Sequence, residues 1–323
     1  MKTSALAAAL LAATTILVSG CGAGELPTPS TLDAVHPTPA GAAEITSAPQ
    51  AEGQADCDEE ASLRPGPLPK PGAMPPGSAM AAIVARGSLR VGVDQNTYLF
   101  GFRNPATGRL EGFDIDIARE IARDLFGDPD KIELRSVNAA ERIPALREGK
   151  VDMIVRTFSA TCERRREVDF SAVYYRAAQR ILAPAESRIA ASADLAGKRV
   201  CVARGTTAAG PLFGMAKRPM VFGVANWTDC LVALQQGNVD AISGDDPILF
   251  GLVAQDRTLR VVGEPIGMGA YAVGVPKGSA ELVRFVNGVL ERLRADGGWQ
   301  RIYTDRLAAL GPSPGPPIPR YVG

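Results

Sequence analysis

From Leu89 onward the chain alternates short β-branched runs with stretches of helical period. LRVGVD (89–94) predicts a strand. FDIDIAREIARDLFG predicts a helix with Asp114 as N-cap, Ile117, Ile121 and Leu125 on one face and Gly127 as its stop. KIELRSV, AAERIPALREG and VDMIVRTF continue as strand, helix and strand, and this βαβαβ order implies a parallel sheet with right-handed crossovers. The pattern then restarts: KRVCVARG, TTAAGPLFGMAKR, MVFGVAN, WTDCLVALQQGN and VDAISGDD read as strand, helix, strand, helix and strand. The halves share a phrase, ALREGKVDMIV in the first and ALQQGNVDAIS in the second, a glycine-ended helix followed by a buried strand. Two similar α/β lobes follow. AYAVGV is a further strand, followed by a helix over 279–296; if that strand returns the chain to the first lobe, the last helices pack there.

The expected division is therefore 79–180 plus 270–310 for one lobe and 181–269 for the other. What precedes them has a different character. Lys2, an apolar stretch from Ala5 to Val18 and the run Val18-Ser19-Gly20-Cys21 have the layout of a lipoprotein signal, with cleavage before Cys21 and acylation of its thiol. Two or three acyl chains, at roughly 0.8 kcal/mol per buried CH₂, make a lasting anchor. Residues 21–78 are crowded with proline, alanine and glycine and lack an apolar period, which predicts a tether. The ending GPSPGPPIPRYVG (311–323) reads as a second proline-rich tail without a fold.

Lysine plus arginine number 35 and aspartate plus glutamate 35, so overall charge gives no reason to expect a nucleic acid partner. No second apolar run approaches the ~20 residues that cross a bilayer. The expected product is an exported monomer on a lipid tether. Besides Cys21 there are Cys57, Cys162, Cys201 and Cys230, an even number in a disulfide-permitting compartment. Of three possible connectivities, Cys201 with Cys230 is preferred because the two are close in sequence, leaving Cys57 to staple the N-terminal extension to Cys162. The only histidine, His36, lies in the proline-rich tract, so neither a metal site nor another cofactor is expected.

Open α/β sheets bind ligands beyond the carboxyl ends of their strands. The residues there are Asp94 onward, Arg156 to Ser159, Arg204 to Thr207, and Asp245 with Asp246. Arginines, hydroxyls and carboxylates together suit a zwitterion. Through VGVD, EGFDIDIAREIA, GKVDMIVRTFSATCERRREVDFS, DLAGKRVCVARGTT and ALQQGNVDAISGDD, about 82–310 resembles the polar amino acid family of bacterial extracellular solute-binding proteins. The TCERR, CVARGTT and DCLVALQQ phrases and the PRYV end are most like actinobacterial glutamate-, glutamine- or aspartate-binding lipoproteins of ABC transporters. The resemblance implies a two-lobe, type II periplasmic-binding-protein-like fold, each lobe a mostly parallel sheet flanked by helices, with a hinge between them.

It also implies a ligand set. Arg164 would clamp the ligand α-carboxylate with its planar fork. Ser159 would offer its hydroxyl and N–H, and Thr157 its carbonyl to the ligand ammonium. Thr206 and Thr207 would present N–H groups at a helix start, and Asp245, or its neighbour Asp246, would pair with the ammonium. Arg142 stands where members that bind acidic ligands carry arginine, and Arg156 replaces a small residue; both cations favour glutamate or aspartate. Ala139 occupies a position at which relatives that prefer glutamine often have an aromatic. Tyr98, Phe100 and Phe158 wall the pocket, or Phe100 and Phe158 belong to the core.

The expected action is closure of two lobes over an amino acid, hinged near 176–183 and 268–273, and its delivery to a membrane permease. A sensor engaging a membrane signalling protein uses the same machinery and is the alternative. An enzyme is disfavoured: histidine-dependent triads lack a histidine outside the extension, GMGAYA precedes a strand where dinucleotide binding needs a helix, and GTTAAG lacks the lysine of a phosphate loop. A carboxylate-based enzyme on this fold remains the remote alternative.

Overall fold

The computed structural model describes residues 38–47 and 57–322. The expected leader, Cys21 and His36 lie outside the described residues. One ladder of nine strands runs in the order Ala43–Ile45, Met220–Val224, Arg199–Ala203, Ala241–Asp245, Val168–Pro184, Leu259–Pro276, Met153–Ile154, Leu89–Val93 and Ile132–Ser136. Parallel pairing is confined to the two flanks: Leu89–Val93 with its neighbours on one, Arg199–Ala203 with its neighbours on the other. Between them the 17-residue Val168–Pro184 and 18-residue Leu259–Pro276 strands pair antiparallel and pass from one flank to the other. The register shifts between Val262 and Gly267, and again between Tyr271 and Gly274.

Two main cores result. The first, aromatic-rich, gathers Phe100, Phe113, Tyr174, Tyr271 and Trp299 with the apolar faces of Phe113–Phe126 and Ala280–Ala295. The second is mainly aliphatic, built on Val200, Val202, Leu212, Leu234 and Ile242. Cys201 and Cys230 are joined inside it, with Cα atoms 5.6 Å apart.

Four expectations change. Asp114 does not cap its helix: Gly112 is the N-cap at φ 132°, where a Cβ would lie 2.3 Å from the Phe100 carbonyl oxygen, and Asp114 is drawn inside by polar partners. VDMIVRTF pairs only over Met153–Ile154, because the chain turns out of the sheet at Thr157, φ 37°. The proline-rich segment is not wholly a tether. Ala43–Ile45 adds an antiparallel edge to Met220–Val224, and Ala61–Leu63 pairs in parallel with Arg320–Val322 of the C-terminal tail. That tail, expected to be without a fold, is thereby fixed.

The extensions are held by backbone pairing, the Cys57–Cys162 disulfide, ion pairs such as Arg320–Asp58 and a buried amide rather than by an apolar period. Asn287 donates to Ser62 Oγ at 2.8 Å and the Leu63 carbonyl at 2.7 Å, and accepts from the Ala172 N–H at 2.7 Å. Leu63, Leu68 and Tyr321 pack on the first core.

Candidate functional site

The site forms where segments leaving the strands of both lobes meet. On the first lobe, the Asp114 carboxylate accepts from the Thr157 N–H at 2.8 Å and the Tyr174 hydroxyl at 2.7 Å. Burial pushes the Asp114 carboxyl up to about 7, against the opposing pull of those two donors. These bonds stabilise the positive φ of Thr157, a conformation that costs a non-glycine residue of order 1–3 kcal/mol. Thr157 and Ser159 then line the cavity.

Two guanidinium groups flank them. Asn138 and Glu141 form a capping box at the turn that leads into the Arg142–Arg147 helix. Arg142 is 2% exposed, yet it donates only to carbonyls: Nε to Ala139 at 2.8 Å, Nη1 to Arg156 and Thr157 at 3.3 Å each, and Nη2 to Gly205 at 2.7 Å. Arg164, on the single turn Cys162–Arg165, donates to the Ser159 carbonyl at 2.6 Å and the Gly205 carbonyl at 2.9 Å. Phe158 lies beneath both, with its ring 4.2 Å from the Arg142 guanidinium carbon and 5.1 Å from that of Arg164. Desolvation, followed by repulsion from Arg164 and Arg156, lowers the Arg142 pKa well below its ordinary value. Burial likewise brings Arg164 down to about 10. Both cations are thus buried with only neutral carbonyls as hydrogen-bond partners, and their charge stays uncompensated by those bonds.

The second lobe contributes a turn and a carboxylate. Gly205, at φ +73°, stands so close to the first lobe that a Cβ there would lie 2.6 Å from Ala140 Cα and 2.7 Å from its nitrogen. Its carbonyl therefore receives both guanidinium groups across the cleft. Thr206 and Thr207 line the cavity, but the Thr206 hydroxyl is turned inward, donating to the Ala203 carbonyl at 2.7 Å. The helix that follows is only Ala209–Phe213. Asp245 accepts from the Tyr271 hydroxyl at 2.6 Å, and burial raises its pKa against that bond. Asp246 faces elsewhere, accepting from the Ala178 N–H at 3.0 Å. The absence of a side chain at Gly269 leaves room for Asp245 and Ser159: a Cβ there would lie 3.2 Å and 3.3 Å from their oxygens.

The cavity is small, about 10 Å³, and is lined by Arg142, Thr157, Ser159, Arg164, Thr206, Thr207 and Asp245, together with Ala208, Trp227 and Ile248. Four residues expected there, Arg156, Asp94, Phe100 and Tyr98, are elsewhere. Arg156 pairs with Asp94 at 2.8 Å and donates to the Val137 carbonyl at 2.7 Å. Asp94 in turn accepts from the N–H groups of Gln95 and Asn96 and from the Thr97 hydroxyl. Both are buried and matched, so recruiting either to a ligand would break an internal ion pair and strand its partner. Phe100 is wholly buried in the first core against Phe113, Tyr175 and Tyr271. Tyr98 borders a separate groove with Phe102 and Arg306. The Thr157 carbonyl, expected to meet the ligand ammonium, accepts from Arg142.

Sequence reasoning missed Trp227, Ile248 and the Gly205 carbonyl. Only the glycine after a strand in VARGTT signalled the last. Among the described residues no cluster of histidine, cysteine or acidic side chains could hold a metal ion, and no helix is long and apolar enough to cross a membrane.

Comparison with known proteins gives this geometry a setting. An ABC-transporter glutamine-binding protein of Bacillus subtilis is 36% identical over 225 residues, covering 69% of this chain and 82% of the relative. A glutamate-binding protein of Corynebacterium glutamicum is 33% identical over 243 residues, covering 72% and 82%. The solute receptor for L-cysteine of Neisseria gonorrhoeae superposes with a TM-score of 0.69 at 30% identity, covering 73% of this chain and 97% of the receptor. The fold is that of type II periplasmic binding proteins, and these relatives are binding proteins rather than enzymes. With residues 89–306 matching the family model, the chain belongs to the bacterial extracellular solute-binding proteins, family 3.

Proposed function

We propose that this protein captures an acidic amino acid, glutamate or aspartate, between its lobes and delivers it to an ABC permease while anchored through a lipid on Cys21. The observation that carries the ligand class is the charge of the cavity wall. Arg142 and Arg164 bring two cations and Asp245 one carboxylate, leaving one positive charge among the groups that line the cavity. The Arg156–Asp94 pair is neutral and set apart. A zwitterion with a second carboxylate carries the single negative charge that balances this wall, whereas glutamine or asparagine leaves a buried cation uncompensated. In this reading Arg164 takes the α-carboxylate, Asp245 the ammonium and Arg142 the distal carboxylate. The glutamate-binding relative supports the choice, and the glutamine-binding one marks the amide as its competitor.

Calorimetric titration of the soluble chain with glutamate, aspartate, glutamine and asparagine tests this directly. The acidic pair is expected to bind roughly tenfold or more tightly than its amides. Equal affinity for glutamate and glutamine would discard the charge argument. For the anchor, a Cys21→Ala variant is expected to lose acyl labelling and appear in the culture medium.

A further inference from the structure

Arg164 stands on a helical turn of four residues, too short to hold itself in water. Inside the region that matches the family, Thr161 caps the turn and Lys277 donates to its Arg165 carbonyl; further supports come from outside that region. The Cys162 N–H donates to Glu59 Oε1 at 3.1 Å, Cys162 is joined to Cys57, and Arg165 donates through Nε and Nη2 to the Glu59 carbonyl at 3.2 and 2.8 Å. Residues 57–60 thus hold both ends of the turn. They are themselves fixed, Asp58 by Arg320 at 2.8 Å and Glu60 by Arg176, and the strand Ala61–Leu63 continues directly onto the back of the first lobe. Glu59 and Glu60 also border an outer space of about 200 Å³ that shares Ser159 and Thr207 with the inner cavity.

We infer that the arm 57–60 is a positioning element of the binding site, clamping the turn that aims Arg164 and forming one wall of the cleft mouth. It lies before residue 89, where the family match begins, so it adds a support to the site from beyond that region. Its effect on affinity rests on the reading that Arg164 binds the ligand α-carboxylate. Because every amino acid carries that group, loosening the arm weakens all ligands alike, whereas altering Arg142 changes their ranking.

The test compares the parent soluble chain with a Cys57→Ser/Cys162→Ser double variant and with Glu59→Ala, in which the disulfide remains. Hydrogen exchange is measured first, without ligand. The peptide covering 161–167 is expected to take up deuterium faster in the double variant, while the peptide bearing Arg142 stays unchanged. Titration with L-glutamate and L-glutamine, well below the melting temperature, is expected to show Kd raised roughly tenfold for both ligands in the double variant, with their ratio kept, and a smaller uniform rise in Glu59→Ala. Unchanged exchange at 161–167, or Kd within twofold of the parent in a folded double variant, overturns the inference. A loss confined to one ligand does the same. If the double variant does not fold, Glu59→Ala decides by the same two readouts. Arg164→Ala separates the two ideas: unchanged affinity there removes Arg164 from the site, while the exchange result still judges the clamp.

Discussion

The two lobes share an architectural pattern but equip the cleft differently. The first presents long side chains, Arg142 and Arg164, laid on Phe158 and backed by an aromatic core with the buried Asp114–Tyr174 pair. The second, with its mainly aliphatic core and internal disulfide, presents a backbone turn at Gly205–Ala208 and the single carboxylate of Asp245. Cations so deeply desolvated must be held before a ligand arrives, because ordering them at binding would consume the affinity they provide. A glycine turn needs no such preparation; it must only approach closely. In the proposed function one lobe is the receptor and the other the lid that completes it.

The strongest way to break this contrast is Arg164→Ala, which under the proposed function leaves a buried carboxylate of the ligand without its partner. Glutamate affinity is expected to fall at least ~30-fold by calorimetry, since losing one member of a buried charge pair costs about 2 to 5 kcal/mol. Arg142→Gln sharpens the division within the receptor lobe. Glutamate is expected to weaken roughly tenfold while glutamine changes little, so the ranking collapses; a uniform loss would assign Arg142 to the common carboxylate instead.

Gly205→Ala probes the lid. The new Cβ would meet the Ala140 backbone in the closed state and strain a left-handed turn. Affinity is expected to drop roughly fivefold, at ~1 kcal/mol of strain, and small-angle scattering under saturating glutamate to show a larger radius of gyration than the parent. An unchanged radius would mean that closure tolerates a side chain there.

The smallest effect concerns the support beneath the receptor. Burial raises the Asp114 pKa from 3.8 to about 7, so the folded protein holds this proton more firmly than the unfolded chain does. Its stabilising contribution is complete below about pH 4 and is lost as pH rises toward 7. Asp114→Asn, which cannot ionise, is expected to flatten the corresponding part of a melting-temperature profile. A slope equal to that of the parent would place the titration elsewhere.

Much of this was legible in particular residues. The period of Ile117, Ile121 and Leu125 marked a helix whose buried face is the one observed, and Gly127 ends it in the left-handed region. The T-C-E-R-R phrase and the carboxylate of S-G-D-D pointed to Arg164 and Asp245, both of which line the cavity. Arg156 and Asp94 misled because a strand-end charge reads the same whether it meets a ligand or another strand end, and here the two meet each other. Phe100 misled because an aromatic beside a cleft and one in a core have the same local pattern.

The extensions show the limit most sharply. Ala61–Leu63 and Arg320–Val322 are three residues each, from opposite ends of the chain, and nothing periodic announces either. Periodicity and punctuation are local, so the sequence alone determined the run of strands and helices, the lobes they build, the charges placed after the strands and the family they resemble. Which cations were spent on internal carboxylates, which glycine touches the opposite lobe and which proline-rich residues became an arm were decided only by tertiary structure. Those outcomes depend on distances between segments remote in sequence, and on desolvation that no residue experiences until its distant neighbours close around it.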